Sequence, residues 1–285
     1  QIAPTKTKIL VDSTFKLEDI EFTNFLLNIA KIPSFDNSLD IFEASFTEST
    51  PGFAFIITDE ITSSYPYFQK CIYGKSLCGR DLIALESTCK GELGRQPVLF
   101  AAAFHGMEWI TTSILICFTE RLCKAAQQGK TLCGKDAAAA LQRSRLIVVP
   151  CVNPDGVEIQ IHGAESAGEY TNLVKEVSKG DTKHWQSNAR GVDINHNFNA
   201  YWHKLRQMEI EDGITGPAMT RYGGTYPESE PESKYLADLT RKCEFGYTLA
   251  FHSQGEEIYY GFENVSLCWV CSLYDICYLC GFYWL

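Results

Sequence analysis

The sequence predicts an α/β fold with a mixed, largely parallel central sheet and helices on both faces, and three observations predict it. Val98-Leu99-Phe100-Ala101-Ala102-Ala103-Phe104 is an unbroken apolar run, the mark of a strand buried on both faces. Arg145-Leu146-Ile147-Val148-Val149-Pro150 and Tyr247-Thr248-Leu249-Ala250-Phe251 repeat the pattern. Segments of helical periodicity lie between these runs, and strands alternating with helices build sheets of parallel character.

Taken in order, residues 1–60 hold short mixed apolar segments without nameable chemistry and read as an N-terminal extension. Asp81-Leu82-Ile83-Ala84-Leu85-Glu86 reads as a strand after a Gly79-Arg80 turn. After the Val98–Phe104 run, Ile110, Ile114, Phe118 and Leu122 recur at helical spacing. The 145–150 strand is closed by an Asn153-Pro154-Asp155-Gly156 turn. Ser229-Glu230-Pro231-Glu232 has the form of a capping box with proline in the first turn. The helix it starts is expected to bury Tyr235, Leu236 and Leu239 and to stop near Gly246, ahead of the third strand. A main folded unit over 61–264 and an atypical tail over 265–285 complete the division.

The composition excludes some classes. With 285 residues and 45% apolar content the chain can bury an ample core. A formal charge of −10, without any Lys- or Arg-rich run, argues against a general nucleic-acid binder, because phosphate contact needs basic patches. Eight of the twelve cysteines are scattered, and Cys117 and Cys151 fall in apolar segments. They read as reduced core thiols rather than a disulfide framework. The chain opens Gln1-Ile2-Ala3-Pro4, as a processed or truncated product would. No signal peptide is legible there, so the expected location is cytoplasmic rather than secreted.

The chemistry sits at the ends of the apolar runs. His105 and Glu108 follow the first run, and His252 follows the last. Two imidazoles and a carboxylate form a zinc set that leaves a fourth position open for water. The His-Glu-x-x-His helix motif and its inverted form are absent, since Trp109 follows Glu108. A lone His-x-x-Glu pair is weak, and His105 alone reads equally well as a buried, hydrogen-bonded histidine. Three metal-competent groups at the carboxyl ends of neighbouring strands, where α/β sheets bind ligands, favour the metal.

From about Ile72 to about Gly261 the chain resembles the zinc carboxypeptidases of the carboxypeptidase A type. The resemblance rests on Ile72-Tyr73-Gly74-Lys75-Ser76 with Gly79-Arg80, His105-Gly106-Met107-Glu108-Trp109-Ile110-Thr111 and Asn153-Pro154-Asp155-Gly156, then on Gly191-Val192-Asp193-Ile194-Asn195-His196-Asn197-Phe198 and Phe251-His252-Ser253. The His105–Trp109 and Gly191–Asn195 segments look most like bacterial members that trim cell-wall peptides, the γ-D-glutamyl-diaminopimelate peptidases. The resemblance implies that His105, Glu108 and His252 hold one zinc ion per chain. It also implies an arginine that stabilises the oxyanion, for which Arg190 is the candidate. An Asn-Arg pair grips the substrate carboxylate in the family. Asn195 matches, but His196 stands in the arginine's place and offers no fixed charge near neutral pH. That change suits an altered substrate such as a peptidoglycan peptide. The bland alternative for 196 is a surface histidine, and His162, His184 and His203 also read as surface or loop residues.

The family's general base is a glutamate on a strand well downstream of the third ligand. Here the acids after His252 are Glu256, Glu257, Glu263 and Asp275, and none occupies that position. The tail from Val265 is apolar and carries Cys268, Cys271, Cys277 and Cys280. It reads as a non-native end of a C-terminally truncated domain, in preference to a membrane span or a second zinc site. Asp275 alone would cost about 2.5–3.5 kcal/mol in a bilayer. The expected protein is a monomeric zinc metallocarboxypeptidase acting on peptides, with bacterial cell-wall peptides as the candidate substrate. Without its base it would be an inactive zinc-binding protein, and a zinc amidase or deacylase of the same fold is the other alternative.

Overall fold

The computed structural model describes residues 53–89 and 97–253. The readings placed on residues 1–52, on the acids from Glu256 to Asp275 and on the tail from Val265 lie outside the described residues.

Seven strands and seven α-helices follow along the described chain. They are α1 (Phe53–Ser64), β1 (Phe68–Lys75), β2 (Asp81–Ser87), β3 (Val98–Ala102) and α2 (Ile110–Gln127), then the short hairpin β4 (Thr131–Leu132) and β5 (Lys135–Asp136). After it come α3 (Ala137–Arg143), β6 (Leu146–Val149), α4 (Pro154–His162), α5 (Thr171–Ser178), α6 (Trp202–Glu211), α7 (Pro231–Cys243) and β7 (Tyr247–Phe251). The main sheet has the order β1-β2-β6-β3-β7. The ladders β1–β2 and β2–β6 are antiparallel, whereas β6–β3 and β3–β7 are parallel. The sheet is thus mixed, and its parallel half is the half that carries the chemistry. Among the described residues no helix is long and apolar enough to cross a membrane.

The unbroken apolar run of β3 has the predicted cause. Val98, Phe100 and Ala102 enter one core with Leu115, Ile116, Phe118 and Leu122 of α2, while Leu99 and Ala101 enter another with Leu236 and Ala237 of α7. Successive side chains point to opposite faces, so a strand covered on both sides has no polar position. Leu146 and Val148 of β6 join the first core, and Ile147 and Val149 the second. Ile61 of α1 also packs in the first core, so this helix crosses residue 60, where the N-terminal extension was expected to end.

Two helices depart from their predicted faces. In α2, Phe118 and Leu122 are buried, but Ile110 and Ile114 are exposed. The first turn of α2 instead turns inward Thr111 and Thr112, whose hydroxyls donate to Glu108 O and Pro150 O, both at 2.7 Å. The capping box at the start of α7 does not form. The N-cap is Glu230, Pro231 occupies the first turn, and Glu232 turns away to accept the Leu77 N–H at 2.9 Å. Leu236 is buried and Leu239 packs beside it, but Tyr235 is exposed, its ring lying across Gly74 of β1. The Asn153–Gly156 turn is itself the first turn of α4, with the Asn153 side chain accepting from Gly156 N at 2.9 Å.

A buried polar network ties the β1–β2 turn to α4 and α7. Asp155 accepts from Ser76 Oγ (2.8 Å), Cys78 N (2.7 Å) and Arg80 Nη1 (2.6 Å). Asn188 Nδ2 donates to Glu230 Oε2 at 2.8 Å and to Glu232 Oε2 at 3.3 Å. Burial, and after it the neighbouring Asp155 charge, push the Glu232 carboxyl well above the usual carboxylate range. The folded chain therefore holds a proton that the unfolded chain has lost, and stability falls as pH rises from the ordinary carboxylate range toward mildly alkaline values. The slope should approach 1.4 kcal/mol per pH unit for a full proton (about RT ln 10). Urea unfolding midpoints across that range should drop for the wild type and flatten for Glu232→Gln; equal slopes would refute the assignment.

Candidate metal centre

Three backbone features bring the chemistry together. At the exit of β3, Ala103 adopts a left-handed conformation with φ +50°. It is held there by Thr111 Oγ1, which accepts its N–H at 2.9 Å, and by Asn153 N, which donates to its carbonyl at 3.0 Å. A non-glycine residue pays about 1 kcal/mol or more for this conformation, and such strain persists where the surroundings over-determine it. The chain then turns sharply, and Gly106–Glu108 forms one turn of 3-10 helix that points His105 and Glu108 inward. The parallel ladder from Val98↔Tyr247 to Ala102↔Phe251 carries β7 up beside that turn and delivers His252.

His105 and Glu108 are buried, and the His252 side chain keeps 18% of its exposure. Glu108 bridges the imidazoles, with Oε1 3.3 Å from His105 Nδ1 and Oε2 2.8 Å from His252 Nδ1. One ligand atom from each of the three lies within 4.8 Å of the others. Two ligands of one tetrahedral zinc are about 3.4 Å apart, given Zn–N bonds of about 2.1 Å, so the set is of the right size. The His252 ring stacks on Phe104 with centroids 5.4 Å apart, which fixes its plane.

Hydrogen bonding also points to a cation. His105 Nδ1, Glu108 Oε1 and His252 Nε2 are buried without a well-aligned hydrogen bond. Buried polar atoms are rarely left so in a native fold. Burial opposes a charge on His105, but Asp193 and Glu108 outweigh it and push the imidazole up to about 10. Burial likewise opposes ionisation of Glu108, and the two histidines hold it down at about 2.

Asp193 is the site residue that sequence reasoning passed over. Its Oδ1 lies 3.2 Å from His105 Nε2, on the ring edge opposite Glu108. Its other oxygen accepts from Arg221 N at 2.8 Å. A carboxylate behind a ligating histidine fixes its tautomer and orientation. The available signal was its place in Gly191-Val192-Asp193-Ile194-Asn195, two residues before a residue already singled out.

The other candidates are placed as follows. Asn195 is buried beside Asp193, donating its backbone N–H to Asp193 Oδ1 at 3.1 Å, while neither its amide oxygen nor its amide nitrogen has a hydrogen-bond partner. His196 is buried, correcting the surface reading, and its Nδ1 lies 2.7 Å from Glu209 Oε1. Arg190 is half-exposed, pairs with Glu230 at 3.3 Å and lies over the Tyr170 ring at 5.7 Å. Both contacts lie apart from the three clustered groups. His162, His184 and His203 are exposed, as expected.

Comparison with known proteins agrees with this geometry. A family model described as zinc carboxypeptidase matches residues 56–270. Over 208 residues the chain is 33% identical to γ-D-glutamyl-L-diamino acid endopeptidase 1 of Lysinibacillus sphaericus, covering 72% of this chain and 50% of that protein. Over 212 residues it is 23% identical to mast cell carboxypeptidase A of Homo sapiens, covering 73% and 46%. The chain thus spans about half the length of these curated relatives. Its fold is similar to that of thrombin activatable fibrinolysis inhibitor, with a TM-score of 0.57 at 22% identity over 86% of this chain and 63% of the other. With most of its described residues inside the family match and a His-Glu-His cluster at the expected strand ends, the chain belongs to the zinc carboxypeptidase family.

Proposed function

We propose that His105, Glu108 and His252 hold one zinc ion per chain and that the chain serves peptide-bond hydrolysis of the metallocarboxypeptidase type. The observation that carries this reading is the convergence of the three donor groups within 4.8 Å at the ends of two parallel strands. Bound zinc would supply Lewis acidity toward the scissile carbonyl and acidify a bound water. The chain's own residues do the rest of what is described. Asp193 orients His105, Phe104 fixes the plane of His252, and the buried Asn195 amide keeps donors and an acceptor available for substrate. Because a ligating imidazole must be neutral, a cation competes with the proton on His105, and metal affinity falls as pH falls.

The proposed substrate is a γ-D-glutamyl-diamino acid peptide of the bacterial cell wall. Support comes from the likeness to the Lysinibacillus sphaericus endopeptidase and from a histidine at 196 where an arginine would grip a simple terminal carboxylate. The peptidase unit is proposed to fill the expected 61–264 together with the rest of α1, and to work as a monomer.

Zinc content of the full chain after dialysis, beside His105→Ala, tests the metal, with about one ion per chain expected for the wild type and none for the variant. Hydrolysis of a γ-D-glutamyl-diaminopimelyl peptide, compared with a peptide ending in an ordinary aromatic residue, tests the substrate. Wild-type zinc content no higher than that of His105→Ala would sink the metal assignment. Zinc binding with no hydrolysis above the variant would leave a zinc-binding protein without catalysis.

A further inference from the structure

Behind His105 a line of two buried acid–base pairs, His105–Asp193 and His196–Glu209, joined through one 3-10 turn, leads away from the metal centre. His105 Nε2 meets Asp193 Oδ1 at 3.2 Å. Asp193 starts the single 3-10 turn Ile194–His196, and the His196 N–H donates back to its carbonyl at 3.0 Å. His196 Nδ1 meets Glu209 Oε1 on α6 at 2.7 Å. The second oxygen of Glu209 is held by Arg206 Nη1 at 2.8 Å and by Gly223 N at 3.0 Å. His105, Asp193, His196 and Glu209 are all at most 2% exposed. Burial works against the Asp193 carboxylate, and the nearby His105 and His196 imidazoles override it, holding it well below the usual range.

A glutamate buried to this degree carries a desolvation penalty that an apolar residue of similar volume would avoid. Docking of α6 does not depend on it alone, because Trp202 Nε1 already bonds Gly223 O at 2.7 Å. Its position in the line gives it a use. It fixes the His196 ring, the 3-10 turn that carries His196 is anchored at Asp193, and Asp193 faces the ring of His105. Groups behind a metal ligand change affinity because they set its tautomer and angle.

We infer that Glu209 is a positioning residue for the metal centre, acting through His196 and Asp193 on His105. The inference rests on the zinc reading proposed above and deepens it. On this view His196 is an internal strut, and its replacement of the family arginine reflects a link to α6 rather than a new contact with substrate.

Zinc affinity of the metal-stripped full chain, measured by competition with a chromogenic chelator, reads this without using activity. Glu209→Gln and His196→Asn should each weaken zinc binding by about tenfold or more. The double variant should be no weaker than the worse single variant, since both cut one line. Trp202→Phe removes the other bond between α6 and Gly223 and leaves the Glu209 carboxylate with its own donors, so it should lower the Tm but keep wild-type affinity. If Glu209→Gln does not fold, His196→Asn against Trp202→Phe decides the matter in the same way. Affinities within twofold of the wild type, additive losses, or an equal loss in Trp202→Phe would overturn the inference. A wild type that binds no more zinc than His105→Ala would show that the metal reading itself had failed.

Discussion

Replacing Gly106 with alanine should abolish tight zinc binding and destabilise the fold by about 3 kcal/mol or more, the upper range for overpacking. A Cβ at 106 would sit 2.3 Å from Gly156 O and 2.8 Å from Trp185 O, both backbone atoms. Neither can rotate away as a side-chain end could. The Gly106 N–H also donates to Gln186 O at 3.0 Å, so the turn is fixed on its other side. Relief must come from moving the ligand turn away from α4, and that carries His105 and Glu108 off β7. Chelator competition and a urea melt on the same variant check both parts; near-wild-type zinc affinity would show that the close approach does not position the ligands. Gly156 has the same limitation from the opposite side, its Cβ position lying 2.4 Å from Ser187 O.

The second large effect is expected at Asp155. Changing it to alanine should cost about 3–5 kcal/mol, the range for removing one partner of a buried ion pair. The fully buried carboxylate satisfies Ser76 Oγ, the Cys78 N–H and Arg80 Nη1 together. Its loss strands the half-buried Cys78 N–H and the buried Ser76 hydroxyl, and leaves the partly exposed Arg80 guanidinium with its contact to Ser166 O. Thermal or urea unfolding reads the loss, and a change below about 1 kcal/mol would mean that solvent replaces the carboxylate. Zinc binding should suffer less than in Gly106→Ala, because Asn153 still anchors α4 through Phe104 O and Gln186 O.

What could be read from sequence was what depends on burial and strand direction. Val98–Phe104 and Leu146–Pro150 are apolar at every step because both faces are covered, and that pattern survives in one dimension. His105, Glu108 and His252 were legible because parallel strands bring their carboxyl ends to one side. The rest depends on partners far away in the chain. Ile110 and Ile114 have the right spacing for a core, but the hydroxyls of Thr111 and Thr112 decide which way the first turn of α2 faces. Glu232 has capping-box spacing, yet Leu77 outcompetes the helix end for its carboxylate. The pairing of Arg190 with Glu230, 40 positions further on, is equally invisible locally. Nothing local marks Glu209 as the partner of His196, and nothing in β3 announces the left-handed Ala103 that ends it two residues before the predicted strand end.

The parallel β3–β7 ladder has a consequence for the order of folding. Glu108 and His252 are 144 positions apart, so the donor set closes one of the longest loops of the described chain. Local elements such as the β1–β2 hairpin can form early, whereas a contact of this span comes late, because its closure entropy must be met before any ladder bond rewards it. A complete donor set then exists only once β7 has zipped onto β3. A cation captured at that stage leaves the rate of folding nearly unchanged and slows unfolding, acting as a ratchet on the last strand.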